Sequence, residues 1–142
     1  MSSAIYGAFF FTVLLLVITG YFLLGGLPLL VLEHDIPLDA RFICSFFAVY
    51  YKGAFWTALG AASSYVLWGR IGLAMGATAV ALLATLLRRR FLPVMERVGA
   101  QIEAHDTGAI RRFRRMHGMA LLFNLGLLVV LVAGTVQLSR SL

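Results

Sequence analysis

The sequence predicts an all-α membrane protein: four transmembrane helices, an amphipathic helix on the cytoplasmic side or at the interface, and a helical cytoplasmic connection. Two observations carry that prediction. Hydrophobic residues make up 61% of the 142 residues and charged ones 13%, against roughly 45–50% and about 25% in soluble domains. The apolar residues also fall in several runs long enough to cross the hydrocarbon core of a bilayer. With no polar tail, Pro/Ser-rich linker or internal repeat, residues 1–142 read as a single domain.

Span one is expected over residues 5–30. The stretch MSSAIYGAFFFTVLLLVITGYFLLGGLPLL is apolar from residue 4 onward. It lacks the positive charge and small-residue cleavage site of a secretory signal, so it reads as a retained helix. Gly25-Gly26-Leu27-Pro28 near its end is expected to loosen or kink the helix, either steering the chain out of the membrane or exposing backbone groups to a ligand.

Spans two and three, 53–68 and 71–87, are fixed by the turn at Trp68-Gly69-Arg70. Apolar helix-like sequence lies on both sides, so the two spans are antiparallel with matched depth. Lys52 precedes Gly69 by 17 residues and Arg88 follows Arg70 by 18, which puts both about 26 Å from the turn at about 1.5 Å per residue. Three consecutive arginines, Arg88, Arg89 and Arg90, belong at the interface, and Lys52 therefore does too. Tyr50, Tyr51 and Trp56 fit an aromatic belt on that side, and Tyr65 and Trp68 one on the other.

The apolar stretch 42–51 then lies outside span two. Arg41, Ser45 and Lys52 form a narrow polar stripe along it, with Phe42, Ile43, Phe46, Phe47 and Val49 around the rest. Two arrangements satisfy that pattern: an interfacial helix, or an extension of span two covered by other segments. Asp35, Pro37 and Asp39 mark its start.

The connection after span three shows Val94, Met95, Val98 and Ile102 at helical spacing. Asp106 or Thr107 can cap a further helix that runs without a break signal into span four, 118–138. Counting from Arg88, this connection carries eight arginines, so 88–117 and 31–52 are expected to be cytoplasmic and both termini outside. Ten of the twelve basic residues, all six acids and all three histidines then share one side, with only Arg70 and Arg140 opposite. Eleven of the twelve basic residues are arginine. With abundant Ala, Gly and Leu, that suggests a GC-rich bacterial genome, and hence the bacterial inner membrane.

Several groups are candidates for function. Arg114, His117, Leu121 and Asn124 share one helical face, a polar line entering the membrane. With His34, Asp35 and Lys52 they outline a candidate cytoplasmic mouth. Arg88, Arg89, Arg90, Arg111, Arg112 and Arg115 are candidate contacts to anionic lipid headgroups. Interspersed with acids and next to the membrane, the arginines argue against nucleic-acid binding. His34, Asp35, His105 and His117 are the weak candidates for a divalent metal, and two histidines such as His34 and His117 for haem. No HxxxH, HxxE or CxxC spacing supports either, and no cofactor is expected. Small residues at spacing four (Ala54, Ala58, Ala62; Gly53, Thr57, Ala61; Gly72, Gly76; Ala77, Ala81) suit close helix packing, within the hairpin or between protomers.

The order of a first span, a short acidic loop, FFAVYYKGAFW, a tight hairpin, LPVMERVGAQIEAHDTGAIRRFRRMH and a last span opening MHGMALLFN resembles the four-span transmembrane protein 205-like family, whose bacterial members are catalogued as domain of unknown function 4149. Members often carry a serine three residues after the histidine matched by His117; Ala120 stands there in this chain. The resemblance implies a four-helix membrane fold and supplies no reaction. No Ser–His–acid set or Gly-rich phosphate loop appears. The sequence therefore points to a non-enzymatic membrane protein, a transporter or channel-like oligomer or an accessory subunit of a membrane complex. The alternative is a haem- or metal-binding redox protein using the cytoplasmic-side histidines.

Overall fold

The computed structural model describes residues 2–33, 36–103 and 106–142. The chain is a bundle of long helices, α1 (Ser2–Val31), α2 (Pro37–Leu67), α3 (Ile71–Leu86), α4 (Leu92–Glu103) and α5 (Thr107–Ser139), with a π-helical turn Leu87–Phe91 joining α3 to α4. Four helical rods are long and apolar enough to cross a membrane, α3 and α4 together forming the third. This is a small, multi-pass integral membrane protein.

The α2–α3 hairpin closes as its sequence requires. Gly69 adopts φ +77°, a left-handed conformation that glycine reaches without a Cβ penalty. The amides of Trp68, Gly69 and Arg70 bond back to Ser64, Val66 and Tyr65. Arg70 lies over the Trp68 ring at 5.0 Å. Thr57, Ala54, Ala58, Ala61 and Ala62 are buried, so the small face of α2 is consumed inside the chain. Gly72 and Gly76 of α3 open outward, with no atom within 4 Å of the place a methyl group would take.

Residues 42–51 are not a separate helix. α2 runs unbroken for 31 residues, about 46 Å at 1.5 Å per residue and well past the roughly 30 Å of a hydrocarbon core. Its first half is covered by α4 and α5: Ala40, Ile43, Cys44 and Phe47 share one core with Leu92, Met95, Val98, Ile102, Ala109 and Phe113. This is the covered extension of span two. Cys44 is buried in that seam, so its thiol is not an external handle for crosslinking.

The π-turn explains how one rod serves two surfaces. At about 100° per residue, Leu92 would sit about 80° around the helix from buried Ala84. The extra residue of a π-turn leaves seven effective steps, bringing Leu92 back within about 20° of the Ala84 face. Both Ala84 and Leu92 are indeed buried, and Arg88, Arg89 and Arg90 are turned outward.

α1 packs against α2 and α5, while α3 rests on α2 and makes no comparable contact with α1 or α5 among the described residues. α1 stays helical through Pro28. Gly25 and Gly26 serve close approach there: an added Cβ would meet the Phe46 ring at 2.9 Å and Leu121 at 2.5 Å. At the hairpin end the α1–α2 fit is tightest at Gly60, where a Cβ would lie 2.7–2.9 Å from three atoms of the Phe11 ring. Gly60→Ala should therefore lower stability by about 1 kcal/mol through overpacking. Gly76→Ala, placed in open space, should be neutral or stabilise by up to about 1 kcal/mol. Titration with a denaturing detergent reads both, and the opposite signs are the check.

Candidate functional site: a buried aromatic and polar cluster

The polar groups that penetrate the bundle belong to α1, α2 and α5. At the hairpin end, Thr12 donates to the Ala8 carbonyl at 2.7 Å and lies 2.7 Å from the Tyr65 hydroxyl. A threonine hydroxyl has one proton, so Tyr65 is the donor between them. Nearer the arginine-rich end, Tyr50 donates to Asn124 Oδ1 at 2.6 Å, and Asn124 Nδ2 donates to the Ala120 carbonyl at 2.8 Å. Thr19 gives its proton to the Leu15 carbonyl at 2.8 Å. Its 3.3 Å contact with Tyr50 is therefore a weak one, since both protons are committed elsewhere.

These groups are set in aromatic packing. Phe22 of α1 stacks on Tyr50 at 4.0 Å and on Phe46 at 5.4 Å, and meets Phe47 edge-on at 4.9 Å. Phe47 in turn meets the His117 ring at 5.3 Å and 79°. His117 is fully enclosed and Asn124 is 2% exposed. Tyr51 is 2% exposed, and its hydroxyl has no hydrogen-bond partner among the described residues.

The face predicted from spacing is real at three positions, because His117, Leu121 and Asn124 are all buried in the core. Arg114, at its outer end, is exposed and donates to the Leu32 carbonyl at 2.9 Å, tying the exit of α1 to α5. Lys52 is exposed and not brought to this cluster. His34, Asp35 and His105 lie outside the described residues. Among the described residues no three His, Cys, Asp or Glu side chains come together as a metal-ligating group. Of the basic residues, Arg111 and Arg115 are exposed, and Arg112 donates to Gln101 at 2.8 Å and reaches Asp106 at 3.4 Å. Asp106 caps α5 by accepting from the Gly108 amide at 2.9 Å.

Tyr50 and Tyr51 are the members of the cluster that sequence reasoning places elsewhere, as interfacial aromatics. The signal that could have found them is Asn124 on span four, which needs a donor from another helix. The space beside Tyr50, Tyr51 and Asn124 is about 10 Å³, on the order of a single water.

No protein-family model, curated protein or solved structure matches this chain.

Proposed function

We propose that the chain is a non-enzymatic accessory subunit of a complex in the bacterial inner membrane, with its arginine-rich end in the cytoplasm and both termini outside. One observation carries this reading: Thr12, Thr19, Tyr50, Tyr65 and Asn124, the hydrogen-bonded polar side chains where α1, α2 and α5 meet, are committed across helices or to their own backbones. Tyr65–Thr12 and Tyr50–Asn124 each join two helices, and the space at the deeper pair is about 10 Å³. Interhelical hydrogen bonds of this kind hold a small bundle together at about 0.6–2 kcal/mol each. A solute pathway would instead need hydrated groups free to exchange partners. The arginines favour a cytoplasmic face by the positive-inside rule.

Purified protein reconstituted in liposomes should leave proton, ion and osmotic permeability at the values of protein-free vesicles. Extracted gently from its native membrane, the chain should keep a second polypeptide in fixed stoichiometry. A flux abolished by Asn124→Leu would overturn the reading in favour of a transporter. So would recovery of the chain alone, with no second polypeptide.

A further inference from the structure

Close approaches between helices fix their relative heights. A Cβ on Gly53, beside Lys52, would meet Ile18 of α1 at 3.9 Å, and one on Gly25 would meet the Phe46 ring at 2.9 Å. α1 therefore continues well past the height of Lys52: the stretch 19–32 rises about 21 Å at 1.5 Å per residue. No charged side chain occurs between residues 4 and 32. Tyr21, Leu24, Leu27 and Val31 on this stretch are 54–82% exposed. On α3 the uncharged run ends sooner, at Leu87 before Arg88, Arg89 and Arg90.

Two properties of this end of the bundle point to lipid as the cover. First, the exposed residues prolong the outer stripe of the span itself. At about 100° per residue, Tyr6, Phe10, Val17, Tyr21, Leu24 and Val31, all exposed, fall within about 80° of one another. They are bulky, whereas helices that associate in a membrane favour small residues at the contact. Second, α2 beyond Lys52 is divided lengthwise. Phe46 faces α1; Arg41, Ser45 and Lys52 lie about 100–140° around the helix from it, with Phe42 and Val49 between. The apolar side meets α1 in a groove of about 300 Å³ whose walls include Val17, Tyr21, Phe46 and Val49. The polar side meets α4 in another, of about 390 Å³, whose walls include Arg41, Ser45 and Glu96. α4 stands diagonally across from α1, since both pack on α2 and α5 and make no comparable contact with each other. It exposes Glu96, Arg97 and Gln101.

We propose that acyl chains of the leaflet at the arginine-rich end fill the α1–α2 groove and cover α1 as far as about Leu27, so that the bilayer edge crosses the bundle obliquely. Beside α3 the edge lies at Lys52 and Arg88. Beside α1 it lies about 12 Å further out, because Gly25 is level with Phe46 and Leu27 therefore with residue 44. Val31 then falls among the headgroups, and Glu33 stands just beyond it. Left in water, the same side chains would form a contiguous apolar patch of a kind that soluble surfaces seldom carry. A bundle with one long apolar side and one short side meets such an edge by tilting, or by thinning the bilayer beside α3. This inference does not rest on the accessory-subunit reading; a protein partner on the α1 face is its competitor.

The test compares two exposed positions at one height on opposite sides. Leu24 is level with about residue 47 of α2. A Cβ on Gly99 would meet Ala40 at 3.1 Å, so Val94 is level with about residue 45, within about 3 Å of Leu24 in height. Leu24→Cys and Val94→Cys are each labelled with a nitroxide in the full chain, reconstituted alone in phosphatidylcholine–phosphatidylglycerol vesicles. Relaxation by oxygen, which concentrates in hydrocarbon, is then set against relaxation by a water-soluble nickel chelate. The oxygen-to-nickel ratio should be several-fold higher at Leu24 than at Val94. Leu24 should match a label at Phe10→Cys in mid-span, and Val94 one at exposed Arg111→Cys. The parent chain, whose one cysteine is buried, is the labelling blank, and thermal unfolding of each variant confirms that it folds as the parent does. Water-like values at both positions would mean that the bilayer stops level with Lys52 and that the α1 face awaits a protein. Lipid-like values at both would mean a level edge beyond them. Either result overturns the oblique edge.

Discussion

Phe47→Ala will be among the most damaging single substitutions in the chain, lowering stability by about 3–5 kcal/mol in a denaturing-detergent titration. Phe47 is fully buried where α1, α2 and α5 meet. Its ring contacts Phe22 at 4.9 Å, Tyr51 at 6.2 Å and His117 at 5.3 Å. Truncation leaves a cavity walled by other rings, which cannot collapse into it without losing their own edge-to-face geometry. Phe47→Leu keeps most of the volume and should cost no more than about 1.5 kcal/mol. Phe42 is the matched control. It lies on the same helix, 59% exposed, so Phe42→Ala should fall within about 0.5 kcal/mol of the parent. Equal effects at Phe42 and Phe47 would mean that the first half of α2 is not packed under α4 and α5.

The contrast between those two phenylalanines also shows where the sequence is informative. Depth can be counted, because a hairpin with a three-residue turn forces its two helices to keep pace. Tyr51, Phe55, Thr85 and Arg88 do line one groove. The α5 face can be read as well, since offsets of 3, 7 and 10 lie close together on any helix, and His117 and Asn124 are buried together. What periodicity cannot supply is which helix lies opposite. Residues 42–51 are apolar nearly all round, so two arrangements are compatible with them, and the cover comes from α4, some 50 residues further along the chain. Tyr50 looks interfacial because its depth is interfacial, yet its hydroxyl turns inward to Asn124 at 2.6 Å. Lys52 stands out as a lone charge in an apolar run, whereas its neighbour Tyr51 occupies the core and Lys52 itself is exposed.

The π-turn has no sequence signature that composition or spacing could reveal. LRRRF continues an ordinary helical pattern. The need for an extra residue appears only when the buried faces of α3 and α4 are compared, Ala84 on one side and Leu92 on the other. It is the tertiary demand of α2 for a continuous cover that sets the register, and local propensity yields to it. The same demand explains why the small residues divide as they do. Those on α2 are buried by neighbours on two sides, while Gly72 and Gly76 are left on the outer face of a helix that leans on α2.

Asn124→Leu tests whether the buried polar cluster is structural glue. Leucine has the same branched shape, so little cavity forms, but the substitution takes the 2.6 Å acceptor from Tyr50 and leaves its hydroxyl only the longer 3.3 Å contact with Thr19. The expected cost is about 1–3 kcal/mol, most of it the penalty of a buried donor left with a poor acceptor. Tyr50→Phe removes the donor instead. It leaves the Asn124 carbonyl oxygen without its proton and should cost about 0.5–1.5 kcal/mol. In the double variant both members of the pair are gone and no orphan remains, so the combined loss should fall short of the sum by about 1 kcal/mol, a coupling within the range for contacting residues. Strictly additive losses would mean the 2.6 Å bond contributes nothing beyond shape. A double variant that folds with near-parent stability yet loses its fixed partner would assign the pair to association instead. In that event Tyr50 and Asn124 act on how the bundle presents itself, and the stability they confer is incidental.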